Sequence, residues 1–275
     1  MIEARSITKR YGHFEAIHKL CFTIKPGEVV GLLGPNGAGK TTTMRILTGF
    51  MPPSSGRIVV AGHDLLQEPR EAKKNLGYLP ETPPLYPELT IEEMLTFVAG
   101  LRGIPKKQKK EKVERALERT GIQDVRKRLI GHISKGYRQR VGIAQAILHD
   151  PSFLILDEPT IGLDPKQILE IRELIQNLSK KNSVGHGRHA ILLSSHILQE
   201  ISMVCSRVII IHHGKIVADG KIEDLTSSLQ RKKLLVTLSK NSEALEEIRK
   251  MDGVESVADY ASNLEELFIN LTRET

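Results

Sequence analysis

The amino-acid sequence predicts an α/β protein, and three observations support this fold class. Strand-like and helix-like segments alternate as far as residue 222, a pattern typical of a sheet covered by helices. The apolar segment 28–34 (EVVGLLG) predicts a buried strand that runs into a glycine-rich turn, and 40–50 predicts the helix after it. A second apolar run, 153–158 (FLILDE), ends in two acidic residues at the strand end where open α/β sheets bind ligands.

The other elements follow in chain order. Further strands are predicted at 57–62, 75–80, 189–195, 207–214 and 215–220, and helices at 90–130 and 134–149. The composition then changes, and residues 233–275 predict strand, helix, strand and helix. We expect a main domain over 1–222 with a helical subdomain at about 82–149, followed by a small α+β accessory or regulatory unit over 223–275.

The composition is that of a soluble globular protein, with 275 residues, 40% hydrophobic and 27% charged. Aromatic residues make up only 4% and Trp is absent, which argues against nucleic-acid modules that stack bases on exposed rings. The net charge of +7 is uneven, because 1–222 carries +11 and 223–275 carries −4. A basic body is compatible with an anionic ligand, a membrane surface or nucleic acid, and charge alone does not choose among them.

Sequence features also bear on the compartment. No apolar stretch approaches the roughly 20 residues that cross a bilayer, and the N-terminus lacks the apolar core of a signal peptide, so we expect a cytosolic chain. Cys21 and Cys205 lack metal-ligand spacing and are expected to fill core space in a reducing compartment. The basic run 106–112 (KKQKKEK) is expected to be a solvated helix face, with contact to anionic lipid or RNA as the alternative.

A phosphate-binding loop is the most specific motif. The pattern G-x-x-x-x-G-K-[ST] is matched by Gly34, Pro35, Asn36, Gly37, Ala38, Gly39, Lys40 and Thr41. The glycines let backbone N–H groups point at phosphate oxygens, and the following helix adds its positive N-terminal dipole. Lys40 is placed to reach the β- and γ-phosphates, Thr41 to ligate Mg²⁺, and Thr42 to add a hydroxyl near the α-phosphate. The motif predicts a protein that binds a nucleoside triphosphate.

The two acids after the second strand complete this prediction. Asp157 is expected to hold Mg²⁺ or a water bound to it. Glu158 is expected to orient and polarise the attacking water as a general base. Adjacent acids after a strand are common surface features, and only their combination with the phosphate loop predicts hydrolysis.

Five further segments identify a family resemblance. In chain order they are KRYG (9–12), LGYLPE (76–81), ISKGYRQR (133–140), EPTIGLDP (158–165) and SSH (194–196). Their order and spacing over residues 1–220 resemble the ABC-type ATPases, with their adenine-stacking loop, Q-loop, signature, D-loop and switch histidine. The resemblance implies a P-loop NTPase fold with a mixed sheet and a helical subdomain that carries the signature.

The resemblance also implies roles for individual residues. Members of this family close head to tail as dimers over two ATP molecules, so the signature residues Ser134, Lys135, Gly136 and Tyr137 would face the nucleotide of the partner. His196 would contact the γ-phosphate, Asp164 would couple the two sites, and Tyr11 would stack on adenine. ATP and Mg²⁺ are the implied cofactors.

Two positions depart from the family pattern. The usual signature is LSGGQ, whereas residues 133–137 read ISKGY, so Lys135 places a cation close to the second nucleotide. Glu81 stands where the family usually has Gln and adds negative charge beside the phosphates, which predicts an altered metal dependence. Both departures are similar to bacterial export ATPases of the gliding-motility and multidrug type.

The resemblance favours the ATPase subunit of an exporter, located peripherally on the cytoplasmic face of the membrane. Such a subunit would form a homodimer and recruit a separate polytopic permease. Leu85, Tyr86 and Leu89 would form the socket for that permease, or are plain core residues. A soluble ABC ATPase acting on ribosomes or nucleic acid is the alternative; tandem domains or long coiled-coil insertions, typical of such proteins, are absent, and no specific nucleic acid is expected. A P-loop kinase or GTPase is disfavoured by the signature-like segment and by His196.

Overall fold

The computed structural model describes residues 1–180, 189–227 and 248. The strands are β1 (Ile2–Tyr11), β2 (Phe14–Ile24), β3 (Val29–Leu33), β4 (Ser55–Val60), β5 (His63–Asp64), β6 (Leu76–Leu79), β7 (Phe153–Leu156), β8 (Ala190–Ser195), β9 (Arg207–His212) and β10 (Lys215–Lys221). The helices are α1 (Lys40–Leu47), α2 (Pro69–Lys74), α3 (Ile91–Leu101), α4 (Lys106–Thr120), α5 (Lys135–Ile147), α6 (Pro165–Ser179), α7 (Leu198–Val204) and α8 (Ile222–Ser227). A short 3-10 helix spans Ile130–His132.

A six-stranded sheet in the order β10-β9-β3-β8-β7-β6 forms the centre of the first unit. Its strands run parallel except for β10, which pairs antiparallel with β9, so the predicted α/β fold with a mixed sheet is confirmed. All five residues of β3 are buried, as expected for a central parallel strand covered on both faces. At Gly31 a Cβ would lie 2.5 Å from the Ile201 side chain, so α7 packs directly on β3.

A second, four-stranded antiparallel sheet in the order β2-β1-β4-β5 was not predicted for the N-terminal segment. The alternation of apolar and polar residues that signals a strand is interrupted in β1. Ile2 and Ala4 are buried, but the strand register shifts before Ile7, and Ser6 takes a φ of 52° at the irregularity. A bulge of this kind moves the apolar residues out of phase, which hides the strand from a period-two pattern.

A layer of helices occupies the segment between β6 and β7. The prediction of one helical stretch over 90–130 was wrong, because α3 and α4 are separated by a turn that includes Gly103 and Pro105. Gly103 ends α3 with a φ of 72°, and the N–H groups of Gly103 and Ile104 donate to the carbonyl oxygens of Gly100 and Ala99. Helix α5 lies so close to β6 that a Cβ at Gly77 would be 2.2 Å from the carbonyl oxygen of Ala146.

The chain divides into two compact units, Met1–Lys221 and Ile222–Thr275. In the second unit the structure describes α8 and Ile248, so the strands and helices predicted over 233–275 otherwise lie outside the described residues. No helix among the described residues is both long and apolar enough to cross a membrane. Cys205 is buried as expected, but Cys21 is exposed on β2, so its predicted place in the core was wrong.

Candidate nucleotide and catalytic site

The phosphate loop connects β3 to α1, and its conformation depends on glycine. Gly37 and Gly39 have φ values of 81° and 106°, which L side chains rarely adopt. No side chain caps the N-terminus of α1, and no acid stands in its first turn, so the helix leaves its first N–H groups for another acceptor. Lys40 is only 6% exposed, and its Nζ donates to the carbonyl oxygens of Gly34 at 2.8 Å and Pro35 at 3.3 Å.

The loop is supported from behind by the turn between β9 and β10. The N–H of Gly214 donates to the carbonyl oxygen of Ala38 at 3.0 Å, and the carbonyl of Gly214 accepts from the N–H of His18 at 2.8 Å. A Cβ at Gly34 would lie 2.4 Å from the carbonyl oxygen of Ile211. These close approaches fix the loop between the two sheets and were not predicted from the sequence.

The two acids after β7 share one hydroxyl group. Ser194 Oγ donates to Asp157 Oδ1 at 2.6 Å and accepts from the N–H of Glu158 at 2.9 Å. Asp157 is 1% exposed, and its Oδ2 has no hydrogen-bond partner among the described residues. Burial raises the pKa of Asp157, the Ser194 hydrogen bond opposes that rise, and the negative charges of Glu158 and Glu81 add to it. A buried carboxylate oxygen without a donor is suited to bind a cation.

Glu158 lies between a histidine and the phosphate-loop lysine. Its Oε2 is 2.9 Å from His196 Nδ1, and its Oε1 is 3.7 Å from Lys40 Nζ. The backbone of Glu158 has a φ of 48°, a conformation that costs a non-glycine residue about 1–2 kcal/mol. The structure therefore brings Lys40, Asp157, Glu158 and His196 together, and it adds Ser194 as an organising residue.

A buried carboxylate connects the two segments that follow the site. Glu200 on α7 is 6% exposed and accepts from Thr160 Oγ1 at 2.6 Å and from Ser195 Oγ at 3.1 Å. Thr160 lies two residues after Glu158, and Ser195 directly precedes His196. Sequence reasoning missed the roles of Ser194 and Glu200, although Ser194 stands within the SSH motif (194–196) that it had singled out.

The signature-like segment forms a separate groove against α6. Ser134 caps α5 and accepts from the N–H of Tyr137 at 3.3 Å, and Asp164 caps α6 in the same way, accepting from the N–H of Gln167 at 2.9 Å. The groove has a volume of about 370 Å³ and is lined by Ser134, Gly136, Tyr137 and Asp164 among others. Lys135 is exposed, and its Nζ would be 2.2 Å from a Cβ at Gly162.

The remaining predicted residues lie around these two groups. Thr41 and Thr42 are half-buried in the first turn of α1. Glu81 is exposed after β6, near enough to Asp157 for its charge to raise the pKa of that carboxyl. Tyr11 is 47% exposed at the end of β1, and its hydroxyl donates to Met51 Sδ at 3.2 Å.

Comparisons with known proteins agree with this geometry. The family described as ABC transporter matches residues 17–161. The bacitracin transport ATP-binding protein BcrA of Bacillus licheniformis is 40% identical over 245 residues, covering 89% of this chain and 77% of that protein. The ABC transporter ATP-binding protein NatA of Bacillus subtilis is 40% identical over 216 residues, covering 78% of this chain and 85% of that protein.

A solved structure described as the ATP binding subunit of an ABC transporter superposes with a TM-score of 0.71 at 33% identity. The match covers 82% of this chain and 92% of that one. The fold, the phosphate loop and the similar proteins all indicate the same family. The chain belongs to the ABC transporter family, as an ATP-binding subunit that hydrolyses ATP.

Proposed function

We propose that this chain powers an exporter, as one of two ATPase subunits that close over ATP and drive a separate membrane permease. The observation that carries the catalytic part is the Glu158 carboxylate, held 2.9 Å from His196 and 3.7 Å from Lys40. The transport part is supported by the similarity to BcrA, whose name describes bacitracin transport. Residues 1–222 would form the nucleotide-binding domain.

The phosphate loop would bind the triphosphate, with residues 34–42 around it and Tyr11 against the adenine. Lys40 Nζ now donates to two carbonyl oxygens, and a γ-phosphate would offer it a charged acceptor instead. Glu158 would accept a proton from the attacking water, and His196 would hold the γ-phosphate beside it. The half-exposed His196 side chain lies at the surface of this site, where a phosphate can reach it.

A magnesium ion fits the residues that the site presents. Its ligands would be Thr41, Asp157 through its unpaired Oδ2, and Glu81. Carboxylate and hydroxyl oxygens are the donors that Mg²⁺ prefers, and the ion would neutralise phosphate charge as the bond to the γ-phosphate breaks. Ser194 keeps the Asp157 carboxylate oriented by donating to its other oxygen.

Two copies of the chain would complete each site. Ser134 and Lys135 are exposed at the N-terminus of α5, where backbone N–H groups and the helix dipole favour an anion. In a head-to-tail dimer these residues, with Gly136 and Tyr137, would face the γ-phosphate bound by the partner. Asp164, exposed beside them at the start of α6, would couple the two sites.

The permease would bind beside the segment after β6. Tyr86 is 49% exposed, and its ring meets Phe97 edge-on with centroids 5.8 Å apart, whereas Leu85 and Leu89 are half-buried. An exposed aromatic supported by a second ring suits a socket for a partner helix. The complex would sit on the cytoplasmic face of the membrane, and no specific nucleic acid is expected.

The variant Glu158→Gln tests both the closed dimer and the assignment of the general base. This variant should bind ATP, lose about 100- to 10,000-fold in turnover, and elute with ATP at twice the chain mass in size exclusion with light scattering. Glu173→Gln, the same chemical change at an exposed position on α6, should keep turnover and stay monomeric. Full turnover in Glu158→Gln would refute the assignment of the base, and a monomer with ATP would refute the closed dimer.

The permease is tested by purifying tagged Glu158→Gln protein from detergent-solubilised native membranes with and without Mg-ATP. We expect a polytopic membrane protein to co-purify. Tyr86→Asp added to the Glu158→Gln protein should lose this partner, and Tyr86→Asp alone should keep ATP hydrolysis. Recovery of ribosomes or nucleic acid from the soluble fraction would instead favour the alternative ABC ATPase.

A further inference from the structure

The corner between α3 and α4 carries an unusual concentration of positive charge. Its basic residues are Arg102, Lys106, Lys107, Lys109, Lys110 and Lys112. Glu111 is the one acid between positions 102 and 112, so the corner has a net charge of +5. Of the five lysines, three are exposed in the first turns of α4, namely Lys106, Lys107 and Lys110. We call the six basic residues, together with Phe97 and Leu101, the α3–α4 corner.

Helix stability does not account for these lysines. The first turn of α4 has no acidic residue, and Pro105 at its N-cap provides no side-chain acceptor. The positive end of the helix dipole repels cations there, so lysines at this end weaken the helix. An anion bound at this end of α4 would offset that repulsion.

Two of the acids near the lysines are already paired with another residue. Arg126 donates to Glu92 at 2.8 Å and to Glu114 at 2.8 Å, both on the helices of the corner. Within the described residues, none of the five lysines forms a salt bridge. Among the described residues, the exposed ammonium groups of Lys106, Lys107 and Lys110 therefore have no salt-bridge partner.

Exposed apolar side chains border the charge. Leu101, the last residue of α3, is 72% exposed, and Phe97 one turn earlier on the same helix is 45% exposed. Lys109 Nζ would lie 3.2 Å from a Cβ at Gly100, so this lysine lies against the end of α3, next in the chain to Leu101. Phe97 also contacts Tyr86, which connects the corner to the proposed permease socket.

We propose that the α3–α4 corner rests on anionic lipid headgroups. The lysines would contact lipid phosphates, and Leu101 would enter the boundary between headgroups and acyl chains. Lipid fits this surface better than RNA, because the Phe97 ring is packed edge-on against Tyr86 and Leu101 offers no ring for stacking. This inference extends the proposed role beside a permease, but the test below needs no permease, so each can fail separately.

The test is co-flotation of the purified full chain with vesicles. Phosphatidylglycerol vesicles should bind it and phosphatidylcholine vesicles should not, and binding should weaken between 50 and 500 mM salt. Each lysine near an anionic surface contributes about fivefold to binding, so K106Q/K107Q/K110Q should bind about 100-fold more weakly. Leu101→Ser should bind about tenfold more weakly through lost apolar contact.

A matched control removes the same charge elsewhere. K25Q/K215Q/K221Q also lowers the net charge by three at exposed positions and should float like the wild type. ATP hydrolysis should be unchanged in both triple variants, which shows that they fold. Equal binding of the K106Q/K107Q/K110Q variant, equal binding to both lipids, or no flotation of the wild type would each overturn the proposal. A different outcome would assign the surface to nucleic acid. In that outcome the wild type binds RNA but does not float with vesicles, and K106Q/K107Q/K110Q loses the RNA binding that the control variant keeps.

Discussion

Removing the Ser194 hydroxyl is the sharpest perturbation of the catalytic site. This single group donates to Asp157 at 2.6 Å and accepts from the Glu158 N–H at 2.9 Å, so Ser194→Ala releases both acids while removing one atom. Ser194 donates to Oδ1 and Oδ2 has no partner, so among the described residues the Asp157 carboxylate would lose its only hydrogen bond. We expect Asp157 and Glu158 to lose their alignment with the bound nucleotide.

The magnitude follows from the kind of hydrogen bond. A bond to a charged group contributes about 1.5–3 kcal/mol, which corresponds to about 10- to 150-fold in rate. Turnover should fall by that factor. ATP binding without Mg²⁺ should stay within about twofold, because Lys40 Nζ donates to the carbonyl oxygens of Gly34 and Pro35 and keeps both bonds when the Ser194 hydroxyl is removed.

Ser195→Ala provides the matched control. It removes the neighbouring hydroxyl from the same buried strand, but Ser195 donates to Glu200, which keeps its bond from Thr160 at 2.6 Å. We expect less than about threefold loss of turnover. Phosphate release at saturating Mg-ATP and fluorescent-nucleotide binding would measure both quantities. Unchanged turnover in Ser194→Ala, or an equal loss in Ser195→Ala, would refute the reasoning.

Three further predictions concern stability and metal dependence. Burial lowers the pKa of His149 from 6.5 to about 4, so the unfolded chain takes up this proton at a higher pH than the folded chain, and the free energy of unfolding loses about 2 kcal/mol from this residue between pH 7 and pH 5. Urea unfolding should show a smaller loss, by about 2 kcal/mol, in His149→Gln than in the wild type, where burial also lowers the pKa of His189. Gly77→Ala should lower the free energy of unfolding by about 1–3 kcal/mol, because the added Cβ would meet the Ala146 carbonyl. Gly100→Ala inside α3 should instead raise the free energy of unfolding by about 0.5–1 kcal/mol. Changes of the same sign in both variants would contradict the packing argument. Glu81→Gln should change the Mg²⁺ concentration for half-maximal turnover, and an unchanged value would contradict a role for the Glu81 charge.

The elements of the site that were predicted are those determined by local sequence. The phosphate loop is a continuous segment, so the pattern of its glycines, lysine and threonine is visible along the chain. Asp157 and Glu158 were found for the same reason, since they directly follow an apolar strand. The bulged β1 was missed because its irregularity breaks the period on which strand prediction depends.

Contacts across the sheet could not be predicted from the sequence. Ser194 meets Asp157 because β7 and β8 pair in parallel with Leu156 opposite Leu193, which places the next residues of both strands side by side. No spacing in the chain encodes that register. The contact of Glu200 with Thr160 depends in the same way on how α7 packs beside the sheet.

The position of β3 in the sheet has a consequence for biosynthesis. This strand leads into the phosphate loop and ends at Leu33, yet both of its neighbours, β8 and β9, begin only at Ala190 and Arg207. At about 5–20 residues per second, the ribosome needs about 8–30 s to make the intervening chain. During that time the apolar β3 has neither of its partner strands and exposes a surface prone to aggregation. The sheet that supports the phosphate loop can therefore form only late in translation.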